Sequence, residues 1–356
     1  MRIFIAVFLL ASNMILYSCS DVNGISEPDQ ERTIDWVIQN RPQDLLAVIA
    51  EFPDDEIIPG KTSRKIVLID YYNPLVYKIV SDTTYRPFFI SFSPDKKKII
   101  FGDSNYYIAD AGPTFVLYDL EENTFLRIDD KYDPLPPEFF LPGIIPVWNY
   151  DGTGFYYSQE PAWVQTYGQN LFYFDLLTNH RTHVAGRNRY RTYAVDIVGP
   201  DTLIVFSNDS LSTGQPEGFY YMSTDGQFLS RINIETALYR RPDNPNTYIG
   251  SIRWNESIQM YIIHERGNFI PGGGVISRIA ISSKDGSFYK YFPLDGIHRE
   301  GAFGVSQNKS LIIMKLPHLS EYGIKIMTLN YETGIYRELF STNMILSCIG
   351  FIGADF

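Results

Sequence analysis

The sequence predicts an all-β fold in which a small antiparallel unit of four strands is repeated round a ring. Three observations predict it. From Thr33 onward, short apolar strands alternate with turns rich in Asp, Asn, Gly and Pro, and no long amphipathic helix interrupts them. A strand–turn–strand pair, FFISFSPDKKKIIF at Phe88–Phe101, has looser copies about every fifty residues along the chain. Aromatic residues make up 15% of the 356 residues, with 26 Tyr and 24 Phe, and such side chains pack well on a half-buried pleated surface. Counted along the chain, the repeats make six blades, so the predicted architecture is a six-bladed β-propeller of four-stranded antiparallel blades.

The strands follow in order. Leu45–Ala50, Lys65–Asp70 and Val76–Val80 form three strands of the first blade. The second blade pairs Phe89–Ser93 with Ile99–Gly102, then Phe115–Leu120 with Phe125–Ile128. The third takes Pro146–Tyr150, Phe155–Ser158, Leu171–Leu176 and Arg181–Val184. The fourth takes Tyr193–Val198, Thr202–Ser207, Gly218–Ser223 and Phe228–Ile232. The fifth takes Ile249–Trp254, Gln259–His264, Ile276–Ser282 and Phe288–Phe292, and the sixth Ala302–Ser306, Ser310–Lys315, Ile324–Asn330 and Ile335–Phe340. One strand remains at the end, Met344–Ile352, and it is expected to join the first blade and close the ring, which removes exposed sheet edges. Thr33–Gln39 reads as a helical turn or as an extra strand, and in the second case it starts a seventh blade.

Five turns stand at the same place in five blades: Glu121-Glu122-Asn123, Leu177-Thr178-Asn179, Thr224-Asp225-Gly226, Lys284-Asp285-Gly286 and Glu332-Thr333-Gly334. Their residues supply or tolerate the left-handed backbone that tight hairpins need.

The amino terminus reads as an address. Arg2 precedes a mostly apolar run, Ile3–Tyr17, which is short for a bilayer span and suits a signal-peptide core. The run ends at Leu16-Tyr17-Ser18-Cys19, which resembles a bacterial lipobox, with Tyr17 departing from the small residue usual there. The resemblance implies cleavage before Cys19 and lipid on its sulfur and new amine. Each buried methylene adds about 0.8 kcal/mol, so two or more chains make anchoring stable. Ser20 follows the cysteine in place of an inner-membrane retention aspartate, so the expected location is the cell envelope, at the outer membrane, on its periplasmic face or at the cell surface. The predicted organisation is therefore a signal peptide at 1–18, a lipidated cysteine and flexible tether at 19–32, and one β-propeller domain at 33–356. Cys348, the other cysteine, reads as a buried thiol.

The formal charge of -11 argues against nucleic acid as a partner, since neutralising phosphates takes clustered Lys and Arg. No G-x-S-x-G elbow occurs, and six blades leave no room for an α/β-hydrolase domain. Tyr150–Gly154 reads as a β-turn. His180 and His183 lie on a strand–turn segment, where residues three apart do not share a face. His264, His298 and His318 are scattered. Asp54-Asp55-Glu56 and Asp129-Asp130 with Asp133 lack EF-hand spacing and read as solvated loops. Gly272-Gly273-Gly274 lacks the lysine of a phosphate loop and reads as a mobile connection. No metal or cofactor is expected.

One constellation emerges when residues are placed in the repeat. Arg86, Arg191 and Arg299 lie nine or ten residues before Asp95, Asp201 and Asn308 of the first hairpin turns in alternate blades. In a propeller these positions begin the innermost strands, so three guanidiniums would converge on the channel mouth, each preceded by an aromatic residue or histidine, Tyr85, Tyr190 and His298. Planar guanidinium forks suit a carboxylate or a phosphate. The bland reading pairs each arginine with local acids or water.

Ile90–Phe101, with its SFSPDKKKIIF core, resembles the repeat of the TolB-like six-bladed propellers, and Trp148-Asn149-Tyr150-Asp151-Gly152 is a looser copy. The resemblance covers most of Leu45–Ile352 and implies a fold and an exported lipoprotein, while propellers host many functions. The expected function is non-catalytic binding or scaffolding, with an envelope protein or an anionic small molecule at the channel mouth as partner. The alternative is an enzyme, for example a glycan-active one, with carboxylates from several blades meeting in the channel.

Overall fold

The computed structural model describes residues 32–53, 62–80, 85, 87–103, 114–128, 146–159, 170–186, 190–214, 217–232, 247–256, 258–270, 274–285, 287–293, 303–305, 311–317 and 324–342. The chain divides into two compact units, residues 88–300 and residues 1–87 with 301–356.

The stretch for which the sequence admits a turn of helix or a strand is helix α1, Ile34–Asn40. Thr33 caps it, its side-chain oxygen accepting from the Trp36 N–H, and Ile34, Val37 and Ile38 are buried at helical spacing. A seventh blade therefore has no strand to start on here. A 3₁₀ turn, Pro42–Asp44, leads into β1 (Leu45–Pro53), β2 (Thr62–Asp70) and β3 (Tyr77–Val80), an antiparallel meander of three strands. Every residue of Leu45–Ala50 is buried, on both faces of β1. The strand predicted to complete this blade, Met344–Ile352, lies outside the described residues.

Residues 88–300 hold four sheets of four strands, each a meander in which every strand pairs antiparallel with its predecessor. The first is β4 (Pro87–Phe92), β5 (Lys98–Asp103), β6 (Thr114–Asp119) and β7 (Thr124–Ile128). Next come β8 (Val147–Trp148), β9 (Gly154–Gln159), β10 (Asn170–Asp175) and β11 (His180–Ala185). The third sheet is β12 (Thr192–Ile197), β13 (Thr202–Ser207), β14 (Gly218–Ser223) and β15 (Phe228–Arg231), with a short helix α2 (Ser210–Thr213) between β13 and β14. The fourth is β16 (Thr247–Asn255), β17 (Met260–Ile270), β18 (Gly274–Ser283) and β19 (Tyr289–Pro293). β17 runs to Ile270 and β18 begins at Gly274, beyond the expected strand limits at His264 and Ile276, and their pairing continues past an irregularity between Arg266 and Phe269. Gly272 and Gly273 of the predicted connection lie outside the described residues.

The other unit ends with a fifth such meander, β20 (Phe303–Val305), β21 (Leu311–Pro317), β22 (Ile324–Asn330) and β23 (Ile335–Thr342). Among the described residues there are thus five four-stranded blades and one three-stranded sheet, where the sequence predicts six complete blades.

Alternation along the strands gives each sheet two apolar faces, and in residues 88–300 neighbouring sheets bury them against one another. Phe89, Ile100 and Phe115 pack on Trp148, Phe155 and Phe174 between the first pair of sheets. Val147, Tyr156 and Leu171 meet Ala194, Leu203 and Tyr220 between the second pair, and Ile204 and Phe219 meet Ile252, Trp254 and Ile263 between the third. First strands are also stitched by hydrogen bonds. Trp148 Nε1 donates to the Ser91 carbonyl at 3.2 Å. In β12 the register shifts between Ala194 and Asp196, which leaves Val195 as the extra residue of a bulge. The Val195 carbonyl accepts from Arg253 Nη1 at 2.7 Å, and Asp196 accepts from the Trp254 N–H at 2.7 Å.

The turns match the sequence prediction in detail. Asp119 accepts from the N–H groups of Glu121 and Glu122, Asp175 from Leu177 and Thr178, and Asn330 from Glu332 and Thr333. Asn123, Asn179 and Gly334 then take the left-handed backbone, with φ of 54°, 54° and 75°. In the first hairpins the equivalent place belongs to Lys96 in one sheet and Gly152 in the next, at φ of 60° and 73°.

Candidate functional site

A buried polar network lies at one end of the interface between sheets β8–β11 and β12–β15. Ser158 is next to last in β9, Thr192 opens β12 and Ser207 ends β13, and all three face this interface and are buried. A buried hydroxyl needs a partner. Ser158 Oγ donates to the Thr192 carbonyl at 3.4 Å, and Thr192 Oγ1 and Ser207 Oγ lie 3.0 Å apart. Ser207 Oγ also accepts the Asp209 N–H at 3.1 Å.

Asn208 and Asp209 turn this chain of hydroxyls into a corner. Asn208 Oδ1 accepts the Arg191 N–H at 2.6 Å, and the Asn208 N–H donates to the Arg191 carbonyl at 3.1 Å. Arg191, at the start of the first strand, is thus gripped through its backbone on both sides. Asp209, 1% exposed, caps α2, its carboxylate accepting from the Leu211 and Ser212 N–H groups and from Ser212 Oγ. Gly214 ends α2 in the left-handed conformation. The rigid turn between holds Leu211 outward, 67% exposed. Tyr190, partly buried, precedes Arg191.

Of the other residues in the predicted ring, Tyr85 is described and is partly buried, whereas Arg86, His298 and Arg299 lie outside the described residues. Cys19 lies outside them too, as do Asp54-Asp55-Glu56, Asp129-Asp130 and Asp133. His180 and His183 are exposed on β11, three positions apart on a strand and so on opposite faces, with the His183 ring against Phe172 at 5.4 Å. Among the described residues no group of three or more His, Cys, Asp or Glu is placed to hold a metal ion.

A second polar cluster was not foreseen from the sequence. Arg32 donates from Nε and Nη2 to the two oxygens of Asp70 at 2.5 and 2.9 Å, and from Nη2 to Asp44 at 3.3 Å. Both carboxylates are buried. Burial works against the charge on Arg32, but Asp70 and Asp44 outweigh it and hold the guanidinium above its ordinary pKa. The Trp36 and Tyr72 rings flank it at 5.4 and 5.5 Å. The two acids therefore share one cation, an arrangement for fixing chain rather than for moving protons.

The signal for the first network was present in Asn208-Asp209-Ser210 directly after a strand, a helix-capping pattern. That for the second was only Arg32 at the end of the predicted tether, which no local rule pairs with an aspartate 38 residues on.

Four-stranded antiparallel meanders packed face to face define a β-propeller, and solved structures agree. No protein-family model and no curated protein matches the chain. TolB from Acinetobacter baumannii is similar at 11% identity with a TM-score of 0.58, over 87% of this chain and 65% of that one. A chain of a nidogen/laminin complex is similar at 8% identity and a TM-score of 0.53, over 88% of this chain and 100% of that one. Prolyl oligopeptidase B from Galerina marginata, bound to a 35mer hydrolysis and macrocyclization substrate, is similar at 12% identity and a TM-score of 0.50, over 83% of this chain and 39% of that one. At such identities the likeness is one of fold: the chain has a TolB-like β-propeller fold and spans 65% of the TolB chain's length. No helix among the described residues is long and apolar enough to cross a membrane, which says nothing of β-barrels.

Proposed function

We propose that the chain is a lipid-anchored envelope propeller that binds, without catalysis, an anionic ligand at the mouth formed by the starts of its first strands. The ligand is a carboxylate- or phosphate-bearing small molecule, or an acidic surface on an envelope protein. One observation carries the reading. Arg191 is fixed through its backbone by Asn208, at a corner built from buried hydroxyls, so the point from which its side chain departs is set before any ligand arrives. Arg86 and Arg299, the matching positions in alternate blades, complete the ring in this reading, and the Cys19 anchor places it in the envelope. Closure by Met344–Ile352 as the fourth strand beside β1 makes the sixth blade.

Citrate and inorganic phosphate serve as probes. With the full chain, millimolar citrate is expected to raise the melting temperature. The triple variant Arg86→Ala, Arg191→Ala, Arg299→Ala is expected to lose the rise while keeping its β-sheet circular dichroism. An equal rise in the folded triple variant removes the ring as the site.

A further inference from the structure

We infer that the face formed by Arg32, Trp36 and the β2–β3 hairpin tip is a membrane-docking surface, which rests the propeller's first sheet on the bilayer that anchors Cys19. The surface is aromatic and outward. Tyr72 and Leu75, on the tip, are 48% and 45% exposed, and Tyr71 packs edge-on to Tyr72 at 5.1 Å. The Arg32 guanidinium brings Trp36 to the same place, since it lies 5.4 Å from the Trp36 ring and 5.5 Å from the Tyr72 ring. Tryptophan and tyrosine favour the headgroup region, where the ring is buried and its polar edge stays wet.

The tip is held stiff rather than left as a loose loop. The Tyr72 N–H donates to Asp70 at 3.0 Å, the Leu75 N–H to Asn73 Oδ1 at 3.2 Å, and the Val76 N–H to the Asn73 carbonyl at 2.8 Å. Asp70 is the residue that grips Arg32, so one buried carboxylate joins the end of the tether to the tip.

Charge permits the approach. The chain carries -11 overall, yet here Arg32 is paired with Asp70 and Asp44, and Lys78 with Asp35 at 2.9 Å, so two cations offset all but one of three carboxylates. A face whose carboxylates, two of them buried, are paired with cations meets less repulsion from an anionic leaflet than the acidic chain as a whole. Chain length keeps this face within reach of the anchor. Arg32, part of the face, is thirteen residues along the chain from Cys19, and the average span of a random-coil chain of thirteen residues is about 20 Å. The inference rests on the reading of Cys19 as the lipidated residue.

The test uses full-length lipidated protein in vesicles of phosphatidylethanolamine and phosphatidylglycerol that contain a phosphatidylcholine brominated in its acyl chains. Flotation reports anchoring, and bromine quenching of tryptophan reports which face meets the lipid. The wild type should float and be quenched, Trp36→Phe should float and lose the quenching, and Tyr72→Ser with Leu75→Ser should float with quenching reduced by about half. Loss of flotation in Cys19→Ser confirms the anchor separately. A wild type that fails to float overturns the anchor and the docking with it. Flotation without quenching, or with quenching that Trp36→Phe leaves intact, overturns the docking alone and leaves this face to a protein partner.

Discussion

Asp209 concentrates at one residue several duties that a sequence displays only as a short polar run. It caps α2, bonds Ser212 Oγ and, through its N–H, satisfies Ser207, all while 1% exposed. Asp209→Ala is expected to cost about 2 kcal/mol, from the lost cap and the unpaired N–H groups left behind. Urea unfolding checks this, and Asp209→Asn, which keeps an acceptor, should recover part of the loss. Arg32 makes the complementary point. Its contacts with Asp44 and Asp70 depend on a fold that brings residues 12 and 38 positions away to one spot, so nothing in its neighbours along the chain announces them.

At the scale of strands and turns most of the architecture was legible. Four of the predicted outer turns show Asn123, Asn179, Gly226 or Gly334 in the left-handed backbone, and most strand limits agree within about three residues, the end of β17 at Ile270 being the large exception, because hairpin chemistry is local. The bulge at Val195 was not legible, since its cause is Arg253 of another sheet. The turn aspartates also give the fold a pH signature. Burial pushes Asp95 up, but the Ser93 hydroxyl, the Lys97 N–H and the charges of Lys98 and Lys97 bring it below the usual carboxylate range. The Thr153 hydroxyl and N–H lower Asp151, and the Ser223 hydroxyl and the Gln227 N–H lower Asp225. Because the folded pKa values are depressed, the stability they contribute is complete above the unfolded carboxylate value near about 4 and is lost as pH falls through the lower folded values. The urea midpoint of an Asp95→Asn, Asp151→Asn double variant should therefore trail the wild type at about pH 6, with the gap narrowing at about pH 2.

For the molecule as a whole, the repeat was readable from the strands and turns, whereas the strand predicted to close the ring, Met344–Ile352, lies outside the described residues and is left to experiment. Ending the chain at Thr342 removes the strand predicted to sit beside β1, whose residues Leu45–Ala50 are buried throughout. The melting temperature of that truncated chain is expected to fall by about 5 °C or more, and an unchanged midpoint would rule the closure out. The likeness to TolB, at 11% identity, fixes a fold while leaving the ligand to the residues at the strand ends. Within each sheet every strand pairs with the one made just before it. A polypeptide emerging amino end first, from a ribosome or through a secretion pore, can therefore finish one sheet before the next appears, and the long wait falls on the opening sheet if its missing partner is the very last segment to arrive.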